Sequence, residues 1–400
     1  VEEKMGNSLK SEKMPEVYIA GNNMMTSLGF TTDENVENLK NDISGIKLCT
    51  DKNLYPTPFW ASPLSTERLN DSFAGIADVD LFTRFEKMQV LSLTEALKNS
   101  KVDVCDAKTL IILSSTKGNI DLLEETQQHR FNPERVYLWE TAKRLAEFFG
   151  NPNQPVVISN ACISGVLAII TGMRLIKAGK YENVIVTGGD ILSEFVVSGF
   201  QSFQSLSQGP CQPFDAKRTG LNIGEGCGTI ILTSNSSFAD ESCLIRVTGG
   251  HSSNDANHIS GPSRTGDGLY LAIKGAMSEA GILPENLDYV SAHGTATAYN
   301  DEMEAKALVL AGLNHVPVNS LKSYFGHTLG AAGIIESVVC LYSLKQNILF
   351  NTKGYQEHGV SVDLNIIKKL TPAPVNSCLK MASGFGGCNA AVVFQKKIVS

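Results

Sequence analysis

Twice along the chain a glycine-rich turn feeds a short apolar strand, and this recurrence restricts the fold more than any other feature. Gly224-Glu225-Gly226-Cys227-Gly228 precedes Thr229-Ile230-Ile231-Leu232, and Gly384-Phe385-Gly386-Gly387-Cys388 precedes Ala390-Ala391-Val392-Val393-Phe394. Earlier segments match in the same order. Residues 244–249 parallel the first apolar run at 17–21, and residues 289–295 parallel 110–118. Val318-Asn319-Ser320, with the small-residue turn through Gly330-Ala331-Ala332-Gly333, parallels 156–165. The apolar runs are continuous rather than alternating, as expected of strands covered on both faces. Helical periodicity fills residues 80–99 and 164–177, the second closed by Gly179. Strands alternating with helices make α/β layers. A duplicated α/β unit with pseudo-twofold symmetry accounts for the repeat; chance punctuation by glycine is the alternative. The halves are expected at 15–240 and 241–400, after a polar, disordered tail over residues 1–14.

Composition narrows the function classes. Hydrophobic residues make up 42% and charged residues 19%, which excludes disordered, collagenous and disulfide-scaffold chains. A net charge of −7 argues against a general nucleic-acid or membrane-surface binder. No apolar run approaches the ~18 residues of a membrane span. The nine cysteines are odd in number and contain no C-x-x-C pair. Eight of them read as free thiols of a reducing cytoplasm.

The ninth is Cys162. In Ile158-Ser159-Asn160-Ala161-Cys162-Ile163-Ser164-Gly165 a strand ends, a tight turn follows and a helix begins. A thiol there faces unpaired N–H groups and the positive helix end, both of which favour the thiolate. A buried small apolar residue is the competing reading. His293 lies just past a strand in Ser291-Ala292-His293-Gly294-Thr295-Ala296-Thr297, where open α/β sheets place ligands; a hydrogen-bonded loop histidine is the alternative. His327 follows Lys322-Ser323-Tyr324-Phe325-Gly326, and packing accounts for the neighbouring glycines and alanines but not for the Lys and His. Residues 384–389 form a loop able to aim an N–H at an oxyanion. His129, His315 and His358 sit in polar surroundings and read as surface. Under the internal symmetry, Cys162 and the His327 region occupy equivalent strand-to-helix turns that would meet in one site.

Together these segments resemble the β-ketoacyl-[acyl-carrier-protein] synthases, condensing enzymes of the thiolase-like fold. The resemblance spans residues 15–396 and includes 19–29 and Pro213-Phe214-Asp215-Ala216-Lys217-Arg218-Thr219-Gly220. Its most specific part is the order Cys, His-Gly-Thr-x-Thr, Lys-x-x-x-Gly-His, Gly-Phe-Gly-Gly, similar to the elongating branch with a Cys-His-His triad. It implies a five-layer α-β-α-β-α architecture, with the nucleophile in the first half and both histidines in the second. It implies decarboxylative Claisen condensation of a Cys-bound acyl group with a malonyl-carrier, giving a 3-oxoacyl-carrier for fatty-acid or polyketide synthesis.

By the same resemblance, Cys162 is the nucleophile, and His293 and His327 bind the malonyl thioester and promote decarboxylation. The N–H groups of Cys162 and Phe385 form the oxyanion hole. Lys322 and Glu304 form an ion pair, Thr295 and Thr297 contact the pantetheine arm, Phe385 gates the pocket, and His258 lies near the entrance. No metal and no cofactor are implied, since substrates ride on the phosphopantetheine of acyl carrier protein. The implied state is a cytoplasmic homodimer, or a heterodimer with a second ketosynthase. A chain-length-shaping partner subunit and a coenzyme A-dependent thiolase-like enzyme are the alternatives.

Three departures stand out. The loop at 207–213 lacks the family's arginines, which leaves Arg84 and Lys87 as candidates for meeting an acidic carrier. Cys388 replaces a threonine and reads as a packed small residue. Trp139, in the divergent stretch 131–150, either narrows the acyl pocket or packs at an interface.

Overall fold

The computed structural model describes residues 14–127, 130–256 and 261–397. His129, His258 and the tail expected over 1–14, apart from Met14, lie outside these residues. Ten strands build the main sheet: β1 (Tyr18–Met25), β2 (Thr109–Ser114), β3 (Val156–Ile158), β4 (Asn183–Asp190), β5 (Gly226–Thr233), β6 (Ile245–Asn254), β7 (Tyr289–Ser291), β8 (Val318–Asn319), β9 (Ser377–Gly384) and β10 (Cys388–Lys396). From the middle outward, the first half runs β1-β5-β4-β2-β3 and the second runs β6-β10-β9-β7-β8. The directions repeat as well: each half has two antiparallel pairings followed by two parallel ones. The halves touch at Tyr18 opposite Arg246. The duplication read from glycine turns is thus present strand for strand.

Seven helices layer these half-sheets: α1 (Arg84–Lys98), α2 (Leu138–Phe148), α3 (Ser164–Lys177), α4 (Glu194–Ser202), α5 (Asp267–Ala280), α6 (Ala298–Leu310) and α7 (Ala332–Gln346). α1 covers the outer face of the first half, and α5, backed by α6, covers that of the second. α3 and α7 lie between the half-sheets and touch both, which completes five layers. Both central helices carry apolar residues around most of their circumference, as a helix between two sheets requires. Val166, Ile169, Ile170 and Met173 meet Ile334, Ile335, Val338 and Val339 in the largest core cluster. α3 keeps its predicted bounds, and Gly179 takes φ +67° after it. The helix predicted over 80–99 begins later, at Arg84. The Thr83 hydroxyl accepts the Glu86 N–H and the Glu86 carboxylate accepts the Thr83 N–H, so a capping box fixes the start. Among the described residues no helix is long and apolar enough to cross a membrane.

Candidate active site

Three strand-to-helix connections converge at the centre. After β3 the chain turns so sharply that Ala161 is held at φ +44°, a left-handed conformation that costs a non-glycine residue energy. Ser164 stabilises the turn, accepting the Asn160 N–H (2.7 Å) and donating to the Ala161 carbonyl (2.6 Å). Cys162 is thereby presented, buried, at the head of α3. The second connection carries His327: Gly326 takes φ +69°, and the His327 backbone is bonded through its N–H to Asn222 and through its carbonyl to the Gly224 N–H. The third follows β7. Glu304 of α6 accepts the N–H groups of His293 (2.7 Å) and Gly294 (2.6 Å), one on each carboxylate oxygen, and so fixes the loop bearing His293.

The three side chains meet. His327 Nε2 lies 3.1 Å from Cys162 Sγ, and the two imidazole rings cross edge to face with centroids 5.0 Å apart. A sulfur and one nitrogen from each ring all lie within 4.8 Å of one another. Burial, reinforced by the nearby Lys322 and Lys380 ammonium groups, holds both imidazole pKa values well below the ordinary 6.5. Both rings are therefore neutral at physiological pH, each with a buried Nδ1 that has no hydrogen-bond partner among the described residues. Burial also pushes the Cys162 thiol up to about 12, against the opposing pull of Lys322 and Lys117. Desolvation thus opposes the thiolate form that the unpaired N–H groups and the helix end are expected to favour.

Other expected residues fall into place around this triad, with one changed partner. Thr295 and Thr297 line the cleft with their hydroxyls 2.9 Å apart. Phe385 caps the β9–β10 hairpin, whose tip glycines Gly386 and Gly387 take φ +87° and +72°. A β-carbon built on Gly384 would stand 3.0 Å from the Cys162 amide nitrogen, so the Phe385 backbone runs beside that amide. Lys322 does not pair with Glu304. Its Nζ lies 2.7 Å from Glu336 Oε1 on α7, and Glu304 is committed to backbone N–H groups.

Glu336 was not among the residues singled out from the sequence, nor was Lys380, whose Nζ lies 2.5 Å from Glu336 Oε2. Each is a lone charge inside an apolar run, and such a charge needs a buried counter-ion; that is the signal that could have found them. Phe200 and Phe203 were missed as well. Phe200 stacks on Phe385 at a centroid distance of 5.7 Å, Phe203 meets it edge-on at 5.2 Å, and the two form one wall of a cleft of about 380 Å³.

Burial bears on three further expectations. Arg84 forms a two-pronged ion pair with the buried Glu225, at 2.5 and 2.7 Å, and Lys87 is buried against Asn70. Lys87 is turned into the fold, while Arg84 keeps 21% of its side chain exposed and commits its guanidinium to Glu225. Trp139 is 53% exposed and stacked on Tyr137, away from the cleft. Cys388 is buried and donates to the Phe385 carbonyl.

A duplicated five-layer α/β fold with a thiol and two neutral imidazoles at its pseudo-twofold centre defines a thiolase-like condensing enzyme. The chain belongs to the β-ketoacyl synthases: the family models described as Beta-ketoacyl synthase, N-terminal domain, and Beta-ketoacyl synthase, C-terminal domain, match residues 14–237 and 244–356. It is similar to 3-oxoacyl-[acyl-carrier-protein] synthase 2 of Vibrio cholerae, 30% identical over 348 residues, which cover 80% of this chain and 83% of that one. A putative mitochondrial 3-oxoacyl-[acyl-carrier-protein] synthase of Schizosaccharomyces pombe is 28% identical over 349 residues, covering 78% and 81%. Among solved structures, the ishigamide ketosynthase/chain length factor superposes with TM-score 0.86 at 23% identity, covering 96% of this chain and all of that one. A chain of the complex of ketosynthase ApeO with its chain length factor ApeC from Xenorhabdus doucetiae gives 0.81 at 26%, covering 96% and 98%.

Proposed function

We propose that the chain extends an acyl group, held as a thioester on Cys162, by two carbons from malonyl-carrier protein, releasing carbon dioxide and a 3-oxoacyl-carrier. The observation that carries this reading is the 3.1 Å contact between Cys162 Sγ and a neutral His327 in a buried chamber. In the first half-reaction the sulfur attacks the acyl thioester while His327 Nε2 takes its proton and passes it to the departing carrier thiol. The N–H groups of Cys162 and Phe385 receive the oxyanion. In the second, imidazole N–H groups of His293 and His327 hold the malonyl thioester oxygen. Carbon dioxide leaves, the enolate carbon bonds to the acyl-Cys162 carbonyl, and the C–S bond breaks, the Cys162 sulfur leaving and taking up a proton to return to the thiol. Neutral imidazoles suit this role, because they stabilise the enolate without handing it a proton, and exclusion of water protects it.

Thr295 and Thr297 line the approach for the pantetheine arm, and Phe385, clamped between Phe200 and Phe203, closes it. In the same reading the protein acts in the cytoplasm with acyl carrier protein as its partner. It pairs with a second copy along β3, the strand at the free end of the first half-sheet.

Intact-mass measurement tests the proposal. Wild type incubated with acyl-carrier protein gains the acyl mass, and C162A does not; acylation of C162A at wild-type stoichiometry would remove Cys162 from the role. Turnover of coenzyme A thioesters with no reaction from carrier-bound substrates would replace this reading with a coenzyme A-dependent one.

A further inference from the structure

Behind the two imidazoles lies a buried charge cluster larger than a single ion pair. Glu336 of α7 stands between Lys322 and Lys380, and all three side chains are sealed from solvent. Lys380, on β9, aims its N–H groups at the carbonyls of Ser291 (3.3 Å) and Ala292 (2.9 Å), the two residues that precede His293. Its contact with Glu336 Oε2 is charge to charge without hydrogen-bond alignment. The His293 loop is therefore gripped twice: Glu304 takes its N–H groups, and Lys380 takes the carbonyls just before them.

An ammonium is far from the cheapest way to satisfy two strand-end carbonyls in a dry core. A buried charge is costly unless paired, and a single carboxylate is shared here by two cations. The arrangement adds positive charge directly behind the place where an enolate would form.

We propose that Lys380 is a positioning residue for the decarboxylation step, holding the His293 loop by its two carbonyls and adding a positive charge behind both imidazoles. The proposal rests on the condensation reading above. Lys380 does not touch the substrate; it acts through His293 and through the field in the chamber. The same field opposes protonation of His293 and His327, in keeping with the depressed pKa values of both rings, to which burial contributes first and Lys322 next.

Other charged or titratable groups also lie near the pair, among them Cys211, whose thiol donates to the Lys322 carbonyl, and Cys378 on β9 beside Lys380. Cys162 sits at the head of α3 and Glu304 and Asp301 on α6. Asp190 and Lys117 lie beyond Cys162, and Asp255 and Cys388 lie around the Phe385 hairpin. None of them replaces the charge at Lys380, which is fixed between β7 and α7.

The test is the pH dependence of malonyl-carrier decarboxylation, followed by release of carbon dioxide, for wild type, K380Q, E336Q and K380Q/E336Q. Removing the ammonium makes the imidazoles easier to protonate. The acid limb of K380Q therefore moves toward higher pH by about one unit, and its rate at a pH on the steep part of that limb drops about tenfold. In K380Q/E336Q the lost positive and negative charges cancel, and the limb returns toward the wild-type position. A purely structural role for Lys380 leaves the double variant displaced with K380Q, and that result, or coincidence of the K380Q and wild-type limbs, overturns the proposal. Where K380Q does not melt cooperatively, E336Q carries the test: its limb moves toward acid, and a limb unmoved from wild type overturns the proposal equally. Absence of decarboxylation by the wild-type protein strikes the condensation reading instead, so the two failures are separable.

Discussion

Gly165 at the start of α3 and Gly333 at the start of α7 are symmetry-equivalent, and each lies against the backbone of the other helix. A β-carbon on Gly333 would stand 2.5 Å from the Val166 amide nitrogen, and one on Gly165 would stand 2.9 Å from both the Gly330 carbonyl oxygen and the Ile334 nitrogen. These contacts are backbone atoms, which cannot swing aside. The two helix starts carry Cys162 and His327, so the crossing sets the distance between nucleophile and base. Gly333→Ala is expected to force the helices apart, lowering stability by about 1–3 kcal/mol. It should also slow acylation of Cys162 beyond what the fraction unfolded explains. Denaturant midpoints read alongside single-turnover acylation separate the two effects, and a destabilised variant with a wild-type acylation rate would count against this coupling.

His327 supplies a pH signature. Its folded pKa is held below the ordinary 6.5 by burial and then by Lys322. An unfolded chain binds a proton there near pH 6.5 and the folded chain does not. As pH falls below about 6.5 the unfolded state binds more protons, and this histidine's contribution to stability declines by up to about 1.4 kcal/mol per pH unit. Buried carboxylates act in the opposite sense. Burial raises Asp301 to about 6 and burial with Asp301 raises Glu304 to about 7, so each favours the fold as pH falls through that range toward its unfolded pKa. A comparison isolates the histidine: the stability difference between wild type and His327→Asn should shrink, or swing toward the variant, between about pH 7 and pH 5. A difference independent of pH would mean that His327 is protonated in the folded protein.

Much of this was legible before any coordinates, for a definite reason. Glycine turns and continuous apolar strands are local, and β1 to β5 repeat as β6 to β10 because the same local pattern recurs at 224–232 and 384–394. Cys162, His293 and His327 were visible because each sits in a short motif at a strand end. What could not be read was pairing across the core. Lys322 turned to Glu336 rather than Glu304, a choice made by the packing of α7 against β9 and invisible in spacing. Arg84 looked like a surface charge because nothing local shows that Glu225, 141 residues away, lies beneath it. The aromatic wall of Phe200 and Phe203 depends on the position of α4 relative to a hairpin nearly two hundred residues later.

Arg84 therefore calls for a stability experiment rather than a binding one. Its guanidinium spans both oxygens of Glu225 and donates to the Leu64 carbonyl, while Glu225 also accepts the Leu64 N–H. Arg84→Met strands a carboxylate that is 1% exposed, and breaking such a pair costs about 3–5 kcal/mol. The expected result is a marked fall in melting temperature with the affinity of the folded fraction for carrier protein unchanged. A loss of carrier affinity without loss of stability would restore Arg84 to the docking surface.

Glu304 presents the sharpest contrast between charge and geometry. Oε1 accepts the His293 N–H, and Oε2 accepts both the Gly294 N–H and the Asn300 amide. Gly294 at φ +47° turns the loop so that neighbouring N–H groups face one carboxylate. Glu304→Gln keeps the shape but replaces one acceptor oxygen with a donor, which must then face a backbone N–H. The lost bond and the clash of donors together cost about 1–3 kcal/mol, and the loop relaxes away from its aim at the malonyl oxygen. Because His293 is assigned to the second half-reaction and Cys162–His327 to the first, the damage should divide unequally. Decarboxylation of malonyl-carrier is expected to fall on the order of a hundredfold, with acylation of Cys162 reduced severalfold at most. Measuring the two half-reactions separately on the same variant decides the matter, since equal losses in both would mean that Glu304 supports the whole chamber and has no special tie to His293.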